Sequence, residues 1–136
     1  MQCLSWCAPI LPGQTDAWKA FDATMRGARR AEHEESRRRM GVHREVVSLL
    51  STPQGDVVCL FHEADDIESA FRTLATSTDP YDVWFRERLI ELHGLTPDML
   101  QGPPPAILHF DFRAKVATAS VPAPAVVTLD APQRVG

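Results

Sequence analysis

The most strongly patterned stretch of the chain runs from Val42 to Glu63, where two runs rich in Val, Leu and Phe flank Thr52-Pro53-Gln54-Gly55. Proline presets φ at the first corner of a type I turn and glycine tolerates the exit position, so this stretch predicts a β-hairpin. Alternation with a period of two leaves neither face of the hairpin cleanly polar. An antiparallel sheet with one wet face shows one polar row. We therefore expect apolar cover on both faces, with helices on one and another sheet, such as that of a second subunit, on the other.

The segments before the hairpin predict one strand and one helix. Gln2 to Pro9 alternates and is ended by the Pro12-Gly13 turn, which indicates a first strand. After Thr15, apolar residues recur at three- and four-residue spacing. This pattern predicts a single helix that continues through the charged stretch to about Met40 and stops at Gly41.

The segments after the hairpin predict two helices and a last strand. Asp65-Asp66 opens a helix that Pro80 interrupts, because the residue before a proline avoids the helical region. A further helical segment runs from Tyr81 to His93, and Leu95 to Pro105 is expected to be loop. Ala106 to Phe112 alternates again and predicts a fourth strand.

Composition bounds the class of protein. With 136 residues, 44% apolar and 24% charged, the chain fits one globular domain, here residues 1–114, followed by an Ala-, Pro- and Val-rich tail over residues 115–136 that we expect to be flexible. The net charge of −4 argues against a nucleic-acid or anionic-membrane partner. No apolar run approaches the roughly 18 residues of a membrane span, so a cytoplasmic protein is expected. Three cysteines without CxxC spacing suit reduced thiols.

The predicted order β-α-β-β-α-β is that of a ferredoxin-like α+β sheet. Three motifs, SRRRMGVHREVVSLL, PQGDVV and DPYDVWFRERLIELHG, resemble those of the dimeric α+β barrel superfamily, and most closely its small actinobacterial members. The resemblance covers residues 1–114. It implies a homodimer in which two sheets pack face to face with the helices outside. Because the superfamily holds cofactor-free oxygenases, isomerases, cyclases, haem proteins and members without known activity, the fold does not fix the function.

Two pairs of polar residues on the predicted sheet are candidates for catalysis. His43 and Glu45 lie two apart on the second strand, and His109 and Asp111 lie two apart on the fourth. Residues at this spacing share a face, so each pair would place an imidazole beside a carboxylate, an arrangement that fixes a tautomer and supports proton transfer. The alternative is that His43 and Asp111 sit near strand ends in water and that Glu45 pairs with an arginine across an interface.

Aromatic residues on the helices are candidates for ligand binding. Trp84 and Phe85, with Trp18 from the first helix, would form a flat apolar pocket against the sheet, and Arg88 would hold an anionic group of a ring-bearing ligand. The alternative is that these aromatic residues belong to the core. A metal site is not expected, since the acidic residues after His62 are those that cap a helix.

Two function classes follow from these patterns. The first is a homodimer that binds a small apolar or aromatic organic compound and acts on it without a cofactor, as an isomerase, cyclase or monooxygenase. The second is a protein without catalysis, either a ligand carrier or an assembly protein. Haem binding through His43, His62 or His109 is a further alternative within the same superfamily.

Overall fold

The computed structural model describes residues 1–115 as an α+β unit with eight helices and strands in that range. In chain order they are β1 (Gln2–Pro9), α1 (Thr15–Arg26), α2 (Arg30–Arg39), β2 (Val42–Thr52), β3 (Gly55–Ala64), α3 (Ile67–Thr76), α4 (Pro80–His93) and α5 (Pro97–Gln101). The predicted flexible tail covers residues 115–136. Apart from Lys115, it lies outside the described residues.

The three strands form one antiparallel sheet in the order β1-β3-β2, so that β3 pairs with both of the other strands. The predicted hairpin is confirmed: β2 and β3 are joined at Thr52 and Gly55, and the Thr52 hydroxyl donates to the Gly55 carbonyl over 2.7 Å. Gly55 adopts a φ of 130°, which only glycine tolerates without strain. An α+β fold built on an antiparallel sheet therefore agrees with the sequence-based expectation.

The predicted fourth strand is absent from the described residues, where residues 102–115 form neither helix nor strand. Pro103, Pro104 and Pro105 precede the segment, and three consecutive prolines supply no backbone N–H for a ladder. Alternation of apolar residues stabilises a strand only when a neighbouring surface covers one of its faces. Phe110 and Phe112 are instead 82% and 74% exposed.

The long predicted first helix is also divided in the structure. It breaks at Gly27, whose φ of −109° and ψ of −101° lie outside the helical region. A Cβ at this position would lie 2.9 Å from the carbonyl oxygen of Ala23, so glycine permits a sharper break than another residue would. Because of this break, α2 follows its own direction and buries Ser36 and Arg37.

The helices pack on one face of the sheet, which we call the inner face, and the core lies between them. Asp66 caps α3 by accepting from the Ser69 amide over 2.6 Å, and Asp79 caps α4 by accepting from the Tyr81 amide over 2.9 Å. Gly94 ends α4 in the left-handed conformation, as its position after His93 predicts. The core includes Leu4, Trp18, Phe21, Met25, Val58, Phe71, Leu74, Phe85 and Leu92.

The opposite face of the sheet, the outer face, has no covering element among residues 1–115. It carries Val46 and Leu50 of β2, both exposed, and the half-buried Val57, Cys59 and Phe61 of β3. The two faces thus differ in cover although both contain apolar residues. Within the described part of the chain, no helix combines the length and the hydrophobicity needed to cross a bilayer.

Candidate functional site

A small internal cavity lies between the inner face of the sheet and the helices. Its volume is about 60 Å³, enough for about two water molecules. Most of its wall is apolar, with Trp18, Phe21 and Phe85 on the helical side, while Glu45 and His62 contribute polar groups from the sheet.

A wider groove of about 760 Å³ opens to solvent beside this cavity, between the helices α1 and α2 and the strand β2. Trp18, Met25, Glu45 and Val47 line both spaces, so the groove leads into the cavity at these four residues. Its rim carries charged residues that pair with one another: Arg26 with Asp22 and Arg30 with Glu34, each over 2.9 Å. The groove therefore offers an apolar floor, one internal carboxylate and a rim of compensated charge.

The Glu45 carboxylate is the centre of a hydrogen-bond network at this junction. Its Oε1 lies 2.7 Å from His33 Nε2, and its Oε2 lies 2.9 Å from His62 Nε2. Arg37 donates from Nε to Oε2 over 2.8 Å. Three elements supply these groups, since Glu45 and His62 are cross-strand neighbours on β2 and β3 while His33 and Arg37 come from α2.

The network continues beyond both imidazole rings. Tyr81 Oη lies 2.7 Å from His33 Nδ1, and Trp6 Nε1 donates to His62 Nδ1 over 3.0 Å. Because a carboxylate only accepts and an indole only donates, His62 carries its proton on Nε2. His33 likewise donates from Nε2 to Glu45 and accepts the Tyr81 hydroxyl proton at Nδ1.

Glu45 stays ionised in this position. Burial alone would raise its pKa, but the positive charge of Arg37 and the hydrogen bonds from His33 and His62 outweigh it and hold the pKa well below the usual range. Only 14% of the side chain is exposed. The carboxylate is thus a fixed negative charge that orients two imidazoles.

The two histidines differ in what they can do chemically. His62 is buried, and its Nδ1 already accepts from Trp6 Nε1. A proton on Nδ1 would therefore face the N–H of Trp6. His33 faces a hydroxyl, which can accept as well as donate. It also borders the groove, with 15% of its side chain exposed. His33 is therefore the imidazole of the network that lies nearer to the groove, with Glu45 and Tyr81 on its two ring nitrogens.

The hydrogen-bond network around Glu45 leaves no open position for a metal ion beside the carboxylate. Residues 1–115 contain no group of three or more His, Cys, Asp or Glu side chains arranged to hold a metal ion. Arg37 occupies the position beside Glu45 where a cation would bind. Both ring nitrogens of His62, one of the histidines considered for haem, are engaged by Trp6 and Glu45.

A second buried carboxylate fixes α2 against α4. Asp82 accepts hydrogen bonds from Ser36 and, over 2.5 Å, from Ser77, and it pairs with Arg39 over 3.0 Å. Burial would raise its pKa, but these three partners together lower it. The contact holds α2 in place, and with it the side chains of His33 and Arg37 that α2 directs to Glu45.

The candidate catalytic residues from the sequence do not come together as pairs. Val42 pairs with Ala64 and Arg44 with Glu63, so β2 advances two residues for one on β3. This bulge places His43 outside the alternation that Glu45 follows. His43 instead pairs with Asp65 over 2.7 Å at the surface.

His109 and Asp111 lie in the segment without regular structure and are exposed. Asp111 accepts from the Cys3 thiol over 3.7 Å and lies 3.9 Å from Arg113. Neither residue lines the groove or the cavity.

The candidate binding residues divide between the site and the helical layer. Trp18 and Phe85 line the cavity, and Trp18 also lines the groove. Trp84 lies outside both, under the guanidinium of Arg29 at 4.4 Å from the ring centroid. Arg88 also lines neither space and pairs with Glu91 over 3.0 Å.

Sequence reasoning found Glu45 but missed the partners that make it a site. His33 and Arg37 lie in a helix whose alternating charges are typical of a solvated face. One signal does exist for His62: it continues the inner row Val58, Leu60 of β3, where an imidazole needs a polar partner. No corresponding signal was available for Tyr81, since its hydroxyl meets His33 across 48 positions of sequence.

Searches against protein-family models, curated proteins and solved structures find no match for this chain.

Proposed function

We propose that this protein binds a small apolar or aromatic organic molecule in the groove and that the His33–Glu45 pair exchanges a proton with it. The proposal rests on the position of Glu45. Its ionised carboxylate lies where the solvent-open groove meets the cavity. A buried charge with three donors is costly to assemble, and such groups cluster at functional sites.

The groove itself indicates the class of ligand. Trp18, Met25, Val47 and Leu49 supply an apolar surface on which a ring can lie. Since Arg26 and Arg30 are already paired, the rim offers little attraction to a strongly charged group. The ligand class is therefore uncharged and largely apolar, with one acidic C–H or O–H bond directed at His33.

The chemistry available is proton abstraction without a cofactor. Glu45 holds His33 in one orientation and one tautomer, the role of a carboxylate behind a general base. The Tyr81 hydroxyl would first turn away from His33 Nδ1, to which it donates in the unliganded protein. The freed lone pair of Nδ1 would then take the proton of the ligand, and the hydroxyl would accept a hydrogen bond from the resulting Nδ1–H. Isomerisation, cyclisation and cofactor-free oxygenation of an aromatic compound all begin with such a step.

Ligand binding is tested first with a panel of neutral aromatic compounds, read out by tryptophan fluorescence. Trp6 and Trp18 line the cavity, so a bound ring should quench their emission. For any compound that is also converted, His33→Gln should lower turnover by about 10²–10⁴-fold with little change in affinity. His43→Gln is the matched control, because His43 is exposed and pairs only with Asp65 among the described residues. Equal effects of the two substitutions, or a panel without a binder, would contradict the proposal.

A second proposed function is assembly, and the uncovered outer face favours it. Val46, Leu50 and Phe61 form an apolar surface that no described element of the same chain covers. We propose that two copies pack through this face, as in the dimeric α+β barrel superfamily, whose ferredoxin-like sheet would add a fourth strand to the three described. Binding in the groove and assembly through the outer face use opposite sides of the sheet and are compatible.

A further inference from the structure

Residues 107–112 carry apolar side chains that the described part of the chain leaves largely in solvent. The side chains of Ile107, Phe110 and Phe112 are largely exposed. The two phenylalanine rings lie on the same side of the segment, with centroids 6.5 Å apart and planes 8° from parallel. This is the arrangement of residues i and i+2 in a strand that has found no partner.

The position of the segment directs it away from its own sheet. Asp111 accepts from the thiol of Cys3, at the start of β1, so the segment passes the sheet at this corner. Among residues 1–115, β1 pairs only with β3 and its other edge is open. Phe110 and Phe112 flank Asp111 and nevertheless remain exposed, so the outer face of the same chain does not cover them.

The area of these rings is large enough to matter for association. A phenylalanine buries about 150–250 Å² when fully covered. With about three quarters of each ring exposed, the four rings of two copies would bury about 450–750 Å². A stable interface needs roughly 1,200 Å². The two phenylalanines would therefore supply about half of the area, and the outer face would supply the rest.

We propose that Phe110 and Phe112 of one copy pack on the outer face of the sheet of a second copy, and that this contact orders the segment. The receiving surface is Val46, Leu50 and Phe61, whose apolar character matches the two rings. The exchange is reciprocal, as a two-fold symmetric pair requires. It accounts for the alternation of residues 106–112 and for the absence of a strand from the isolated chain. The inference rests on the homodimer proposed above and names the residues that hold it together.

The test is sedimentation equilibrium of the full chain over about 0.1–100 µM, with far-UV circular dichroism on each variant. The wild type is expected at twice the chain mass of 15.1 kDa. Phe110→Ser combined with Phe112→Ser should raise the dimer dissociation constant at least about 100-fold. Phe110→Leu combined with Phe112→Leu keeps an apolar surface and should restore most of the affinity. Ile90→Ser is the matched control, since Ile90 is exposed on α4 in the helical layer.

The outcomes separate the two proposals. A wild type that stays at 15.1 kDa throughout would overturn the homodimer and this inference together. A dimeric wild type with a double serine variant of unchanged affinity would overturn the inference alone and leave the homodimer standing. An equal loss of affinity in Ile90→Ser would also overturn it, because the effect would not then be specific to the segment.

Discussion

The two faces of the sheet are built from the same three strands, yet they differ in which residues they expose to solvent. On the inner face Glu45 and His62 are largely removed from water, and every charge-bearing atom of the carboxylate has a donor. On the outer face Val46 and Leu50 remain exposed. One face accommodates ionisable groups under helices, and the other leaves aliphatic side chains in solvent.

This difference shows where each kind of residue carries information. An exposed valine alone is ordinary, and a buried glutamate alone is prohibitively costly. The inner face therefore indicates a candidate site through charge compensation, since Arg37, His33 and His62 all converge on one carboxylate. The outer face indicates a candidate interface through continuity, because Val46 and Phe61 are directly paired and Leu50 pairs with Val57 on the same face.

The difference between the two faces is tested most directly by replacing one carboxylate on each face with an amide. Glu45→Gln leaves the guanidinium of Arg37 buried without its counter-charge, so we expect a loss of about 3–5 kcal/mol in the free energy of unfolding. Glu63→Gln is the matched control on the outer side of β3, where a change within about 0.5 kcal/mol is expected. Urea titrations at pH 7 measure both.

The pH dependence of the stability of the wild type and of Glu45→Gln sharpens this result. The folded-state pKa of Glu45 lies well below that of the unfolded chain. Its stabilisation is therefore fully present above the unfolded pKa of about 4.3 and is lost as the pH falls through the folded pKa. The difference between wild type and Glu45→Gln should be largest above about pH 5 and shrink below pH 4. A difference that stayed constant with pH would show that Glu45 acts through shape alone.

The sequence allowed the central hairpin and the helical cover of one sheet face to be predicted, but not the partners of Glu45. The hairpin from Val42 to Glu63 follows from alternation and turn chemistry, which are local properties. The helix cap at Asp66 is likewise local. The network around Glu45 depends instead on which face of α2 meets the sheet. That orientation is set by the break at Gly27, a single residue inside a pattern that favours a continuous helix.

Two further predictions, for His43 and for residues 106–112, were wrong for the same physical reason. His43 left the face of Glu45 because a bulge adds one residue to β2, and no pattern in the sequence fixes where a bulge falls. Residues 106–112 alternate as a strand does, but a strand forms only where another surface receives it. Local patterns thus predict what a segment can form, and tertiary contacts decide what it does form.

A smaller effect is expected from trimming the same residue type on each face. Val58 is 2% exposed on the inner face of β3, whereas Val46 is 39% exposed on the outer face of β2. Val58→Ala should cost about 1.5–3 kcal/mol of unfolding free energy, from the lost methyl groups and the space they leave. Val46→Ala should cost less than about 0.5 kcal/mol in a monomeric preparation. Equal losses under dilute conditions would mean that the outer face is covered within its own chain.

The smallest expected effect at neutral pH belongs to Tyr81, which ties the network to the helical layer. Tyr81→Phe removes the hydroxyl that meets His33 and should cost about 1 kcal/mol, the usual contribution of one hydrogen bond. Burial is the main cause that raises the pKa of Tyr81 above its ordinary value. Because the folded-state pKa is raised, the stabilisation is complete below the unfolded pKa of about 10 and falls as the pH rises beyond it.

Tyr81 is the only tyrosine of the chain, so its ionisation can be followed by itself as tyrosinate absorbance. The folded protein should show no tyrosinate near pH 10–11, and the signal should appear only together with the loss of circular dichroism. Between pH 10 and 11 the wild type should lose up to about 1.4 kcal/mol more stability than Tyr81→Phe, since one proton separates their unfolding equilibria. A tyrosinate signal that titrates near pH 10 while the protein remains folded would contradict this prediction. It would mean that the hydroxyl of Tyr81 reaches solvent and that His33 faces water on both sides.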